Sequence, residues 1–233
     1  MSHYKGVLKE ILLEPYQNAS GVIRLPSESI PRTGQYFQAH SADPKEVVPT
    51  SLFPAGSPFI ENGESLLPIS GQLRKSWAPG TELFIRGPLG DGFSLPKRAK
   101  RVALISLEPS PGKLIPLCQE ALNQSAEISL ITEGAPADIP LEIEVQSITE
   151  APNALTWAAY IGVSLSIDQI DNLSILFPQG IQKHITVEIL MVAPMPCSGQ
   201  ARCGVCCFET VRGIRFPCED GPVFQFDHIP FQG

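Results

Sequence analysis

The sequence predicts a β barrel plus an α/β layer, followed by a cysteine-bearing tail. Three observations carry this prediction. Short apolar runs bounded by turn residues fill the first 97 residues. Longer apolar runs alternate with helix-like stretches over 98–193. Five of the six cysteines then fall between Cys197 and Cys218. The expected organisation is an N-terminal antiparallel β-barrel over 1–97, a reduced Rossmann-like parallel sheet over 98–193, and a cysteine lobe over 194–233.

In the first region, Val7–Leu13 and Gly21–Leu25 read as strands, bounded by Asn18, Ser20 and Pro26. Turn signals recur at Pro31–Gly34, Pro54–Gly56, Pro79–Gly80 and Gly87–Gly92, with the partly alternating strand Thr81–Arg86 between the last two. Many short strands at this spacing suit a small closed barrel. The 23 prolines agree, because Pro is poorly tolerated inside helices and central strands. In the second region, Arg101–Leu107 reads as a buried parallel strand, Lys113–Leu122 as a helix and Glu127–Thr132 as a second strand. Leu141–Val145 is strand-like, and Asn153–Ile161 and Ile167–Phe177 are helix or turn segments. Ile185–Val192 is a third clear strand.

Charge and composition exclude several functions. Apolar residues make up 43% and charged residues 18%, so the chain has the material for a packed core. The net charge of −7 argues against a nucleic-acid or anionic-membrane binder, since phosphate recognition needs a basic surface. No run reaches the length of a membrane span, and the N-terminus Met1–Gly6 lacks a signal-peptide apolar stretch. A cytoplasmic protein is expected. His3, His40, His184 and His228 are scattered, and no nucleophile or zinc-hydrolase motif occurs, so no residue is assigned a catalytic role.

In a reducing compartment, clustered cysteines point to metal rather than to disulfides. Cys197, Cys203, Cys206 and Cys218 follow the pattern C-x5-C-x2-C-x11-C, with Cys207 left over. Plant-type 2Fe-2S sites use a similar C-x4-C-x2-C run with a distant fourth Cys. Small residues between the first two cysteines allow tight backbone turns, so that N–H groups can reach the sulfurs. Zinc is the alternative, although its sites usually pair two close ligand couples, and only one C-x2-C is present. Unligated thiols remain a third possibility. Adjacent Cys206 and Cys207 point different ways, so Cys207 is expected to be a packed thiol. Cys118 lies on the expected helix and is read as a core residue.

The tail Pro196–Cys206, followed by Pro217-Cys218-Glu219-Asp220-Gly221-Pro222-Val223-Phe224, resembles the electron-transfer subunits of class B dihydroorotate dehydrogenase (the PyrK family). Gly87-Pro88-Leu89-Gly90-Asp91-Gly92-Phe93 and Pro79–Leu83 resemble the same family's barrel. The resemblance implies a ferredoxin-reductase-like chain: an FAD-type barrel, a nicotinamide-type α/β domain and a 2Fe-2S lobe. It implies Cys197, Cys203, Cys206 and Cys218 as cluster ligands. It also implies a flavoprotein dehydrogenase catalytic subunit as partner, with single electrons relayed between the two chains.

Two departures matter. The family's flavin motif has the form Arg-x-x-Ser after a Gly-Gln strand. Here Gly34-Gln35-Tyr36 stands in place, but the later segment reads Val48-Pro49-Thr50-Ser51. Val48 cannot supply the bidentate cation that would meet the FAD pyrophosphate. Pro49, Thr50 and Ser51 are left as the expected flavin contacts, unless this stretch is simply a barrel strand. After the strand ending at Leu107 the chain reads Glu108-Pro109-Ser110-Pro111-Gly112. Dinucleotide binding needs a Gly-rich turn whose N–H groups approach phosphate, so NAD(P) is not expected. An electron-transfer subunit is therefore the first reading. A self-contained NAD(P)H-dependent flavin reductase and a zinc-stabilised, non-redox scaffold are the alternatives.

Overall fold

The computed structural model describes residues 2–13, 19–134, 139–178 and 180–230. The turn expected at Asn18 lies outside them. Seven strands form the first region: β1 (Ser2–Leu13), β2 (Ala19–Arg24), β3 (Tyr36–His40), β4 (Thr50–Pro54), β5 (Phe59–Glu61), β6 (Glu64–Gly71) and β7 (Glu82–Leu89). Their order is β2-β1-β7-β3-β4-β6-β5, all antiparallel, and a further β2–β6 pairing closes six of them into a barrel. Closure removes the unpaired edges that an open sheet would expose. The alternation noted along Thr81–Arg86 has a physical basis: Leu83, Ile85 and Leu89 of β7 are buried while Glu82 and Phe84 are exposed. Leu8, Ile23, Phe37, Leu52, Leu67 and Ile69 complete the barrel core.

The second sheet contains β8 (Arg101–Ser106), β9 (Glu127–Thr132), β10 (Ile143–Gln146), β11 (Tyr160–Ser166), β12 (Thr186–Val192) and β15 (Val223–Gln225), in the order β10-β9-β8-β11-β12-β15. The first five are parallel, and β15 adds antiparallel to β12. Helices α1 (Ile115–Asn123), α2 (Ala151–Trp157) and α3 (Asn172–Leu176) connect them. Cys118 on α1 is fully buried, and burial pushes its thiol up to about 12.

Of the five parallel strands, one was not foreseen. The sequence reading of Asn153–Ile161 as helix or turn is corrected: α2 stops at Trp157, and Tyr160 begins the central strand β11. Gly162 and Ser164 break the apolar run that marks the other parallel strands. A Cβ at Gly162 would lie 2.9 Å from Leu104 and 3.0 Å from Leu117, so close sheet–helix packing selects glycine there.

Between β12 and β15 run the hairpin β13 (Phe208–Thr210)–β14 (Gly213–Arg215) and the short turn α4 (Pro217–Asp220). Two of the motifs that carry the sequence resemblance, Gly87–Phe93 and Pro217–Phe224, meet here. The N–H of Asp91 donates to the Gly221 carbonyl at 2.7 Å, and Asp91 and Pro222 form a β-bridge. The N–H of Met191 donates to the Pro222 carbonyl at 2.9 Å. The tail is thereby tied both to the barrel and to the α/β sheet. No helix among the described residues is long and apolar enough to cross a membrane.

Candidate metal centre and the cavity beside it

The thiol loop leaves β12 through Ala193–Pro196 and turns back sharply. Ser198, Gly199, Ala201 and Gly204 all have positive φ, of 59°, 68°, 52° and 73°. Alternating backbone handedness of this kind directs successive N–H groups inward and makes a concavity for anions, sulfur included. The N–H groups of Arg202, Gln200 and Cys203 converge on the Cys197 sulfur. Burial opposes ionisation of this thiol, but those donors and the Cys203 side chain outweigh it and hold it down at about 6.

The four sequence-named thiols form two pairs. Cys206 and Cys218, both buried, have their sulfurs 3.4 Å apart. Cys197, half-buried, hydrogen-bonds with the exposed Cys203. Burial, the Cys206 contact and the charge of Cys197 push the Cys218 thiol up to about 12, although the Ala201 N–H works the other way. Among the described residues, no three His, Cys, Asp or Glu side chains stand close enough together to enclose a single metal ion. Cys207 is exposed, which corrects its reading as a packed thiol. It follows the turn at Val205–Cys206 and leads into β13, along which buried and exposed positions alternate.

The loop rests on the barrel. Tyr36 donates from its hydroxyl to the Cys218 carbonyl at 3.1 Å. A Cβ at Gly199 would lie 2.7 Å from that hydroxyl. Burial and the neighbouring sulfurs of Cys218, Cys206 and Cys197 push the Tyr36 phenol up, with Arg86 opposing, so it stays a neutral donor.

Next to the loop lies a cavity of about 610 Å³. The barrel contributes Thr50, Ser51 and Phe53 from β4, with Pro49 just before them; the α/β sheet contributes the Glu108–Lys113 turn; Val192–Pro196 leads directly to Cys197. Pro49, Thr50 and Ser51 therefore meet at one wall, with Thr50 and Ser51 also forming part of a barrel strand. Gln38 donates to Ser51 Oγ at 2.8 Å and to Met195 Sδ at 3.7 Å, while its buried Oε1 has no hydrogen-bond partner. Unsatisfied buried polar atoms are uncommon, and here one sits beside the residues expected to meet a flavin ring.

The turn after β8 has a different character. Lys113 Nζ pairs with Glu108 Oε1 at 2.7 Å, both side chains being about one-tenth exposed. Ser164 of β11 donates to the other Glu108 oxygen. Lys113 also lies 5.8 Å from the Phe53 ring centre. A carboxylate thus occupies the turn where a dinucleotide phosphate would need N–H donors, and Pro109 and Pro111 supply none.

Barrel, parallel sheet and their shared cavity define a ferredoxin-reductase-like fold. The NADH-dependent reduced ferredoxin-NADP oxidoreductase studied for flavin-based electron bifurcation superposes with a TM-score of 0.74 at 15% identity, over 97% of this chain and 90% of that one. The ferredoxin reductase of carbazole 1,9a-dioxygenase does so with a TM-score of 0.62 at 15% identity, over 80% and 68%. In sequence the chain is similar to the electron transfer subunit of dihydroorotate dehydrogenase B (NAD(+)) of Clostridium perfringens, 23% identical over 249 aligned positions and 99% of both chains. Its counterpart in Clostridium acetobutylicum is 23% identical over 207 positions, 83% of this chain and 84% of that one. The likeness to these subunits therefore spans nearly the whole chain. No family model matches the sequence.

Proposed function

We propose that the chain is the electron-transfer subunit of a flavoprotein dehydrogenase complex, its partner being a dihydroorotate dehydrogenase catalytic subunit. The observation that supports this best is the seating of the thiol loop: Met195 and Pro196 wall the cavity and Cys197 follows at once. A redox group in the cavity and a metal group on the loop would be neighbours, as a relay requires.

Cys197, Cys203, Cys206 and Cys218 would hold a 2Fe-2S cluster. When bound, that cluster supplies one-electron exchange. Two thiolates on one tetrahedral metal with bonds of about 2.3 Å stand about 3.8 Å apart. The 3.4 Å approach of Cys206 and Cys218 lies near that spacing. Two separate thiol pairs suit two metals better than a four-thiol knot suits one. The inward N–H groups of Gln200, Arg202 and Cys203 would offset thiolate charge, which favours the reduced, more negative state. Pro49, Thr50 and Ser51 would hold the ring of an FAD, with the unpaired acceptor Gln38 Oε1 next to Ser51. The Glu108–Lys113 pair disfavours NAD(P), so the chain would relay electrons without oxidising a nicotinamide itself. The three regions 1–97, 98–193 and 194–233 then serve as flavin barrel, degenerate nicotinamide domain and cluster lobe of a cytoplasmic complex.

The test is anaerobic mixing with a dihydroorotate dehydrogenase catalytic subunit and dihydroorotate. Bleaching of this chain's visible absorbance is expected. An active partner that leaves that absorbance unchanged would reject the assignment.

A further inference from the structure

We infer that Arg74 replaces the guanidinium missing at Val48 and binds the phosphate of a flavin nucleotide in the cavity; this rests on the flavin reading above. Arg74 follows β6 on the loop that leads to β7, a separate segment from the one that holds Val48. Its Nη2 nevertheless donates to the Val48 carbonyl, so the fork is delivered to the backbone of the very residue whose side chain lacks it.

Arg74 lines the cavity together with Val48, Thr50 and Ser51. Its Nε is buried without a hydrogen-bond partner, and it makes no ion pair among the described residues. Lys113, the other cation of the cavity wall, is already matched by Glu108. A partly buried guanidinium with an unmet N–H is costly, and a phosphate is the acceptor its planar fork fits. The position is also held in place. Glu46 accepts from the Ser41 N–H at 2.7 Å, from Trp77 Nε1 at 2.8 Å and from Ser76 Oγ at 3.0 Å. It thereby clips the loop carrying Val48 to the loop carrying Arg74.

The test uses the full-length chain with the metal it purifies with, stripped of flavin and titrated with FAD, FMN and riboflavin. Arg74→Gln should weaken FAD and FMN at least tenfold and leave riboflavin, which has no phosphate, unchanged. Adding Val48→Arg to Arg74→Gln should restore FAD binding, which separates loss of the cation from loss of the fold. Equal FAD affinity in Arg74→Gln and the parent would overturn the inference while leaving the flavin reading intact. Equal weakening of all three ligands would overturn it too, since a purely structural role does that. A parent chain that binds none of the three removes the flavin reading itself, and the inference with it.

Discussion

Cys206 and Cys207 are adjacent and face opposite ways, and the consequence is a test at single-residue resolution. Cys206→Ser removes a buried sulfur that contacts Cys218 and should abolish the visible chromophore and its iron. Cys207→Ser alters an exposed thiol and should change neither; absorbance spectra of both variants check this. Tyr160 offers a second residue-level test, on stability. Its hydroxyl donates to Glu188 Oε2 at 2.6 Å, in a site where Glu188 also accepts from the Ser94 N–H at 2.7 Å and from Gln225 at 2.6 Å. Burial and the Glu188 carboxylate push the Tyr160 phenol well up, so it remains a donor. Tyr160→Phe should cost about 1–3 kcal/mol in urea unfolding, because a buried carboxylate loses a donor. Unchanged stability would show that Glu188 finds a replacement.

The loops that flank β4 and β7 depend on one carboxylate. Burial works against the charge of Glu46, but the donors of Ser41, Ser76 and Trp77 outweigh it and hold the carboxyl below its ordinary 4.5. A lowered folded value stabilises the protein above the unfolded value, and the contribution fades as pH falls through the folded one. Glu46→Gln should therefore lower the thermal midpoint by about 2–4 °C at neutral pH. That gap should close as the pH is taken below 4.5. A gap that persists in acid would mean the side chain acts by shape alone. The same scale shows what sequence can and cannot reveal. Arg101–Leu107, Glu127–Thr132 and Ile185–Val192 are legible because strands buried on both faces become continuous apolar runs. β11 is hidden because close approach demands Gly162 and a hydrogen bond to Glu108 demands Ser164. The gathering of the tail thiols is legible from their spacing, and Cys206 and Cys218 do meet. Arg74 is not legible, since its meeting with Val48 joins segments 26 residues apart and no local pattern announces such a contact.

The whole molecule places a barrel, a parallel sheet and a thiol loop around one cavity, and the Glu108–Lys113 pair lines the wall that the α/β sheet contributes. A flavin-loaded chain should accordingly show no bleaching with NADH alone, but should bleach with dithionite. Rapid bleaching by NADH would instead favour a self-contained reductase and would require the Glu108 turn to open. The proposed relay depends on iron at the tail. The most direct measurement is iron and acid-labile sulfide analysis of anaerobically purified protein, read beside its low-temperature paramagnetic resonance after reduction. About two irons and two sulfides per chain, with the signal of a reduced 2Fe-2S centre, is the expected result; one zinc per chain, or no metal and no labile sulfide, would contradict it.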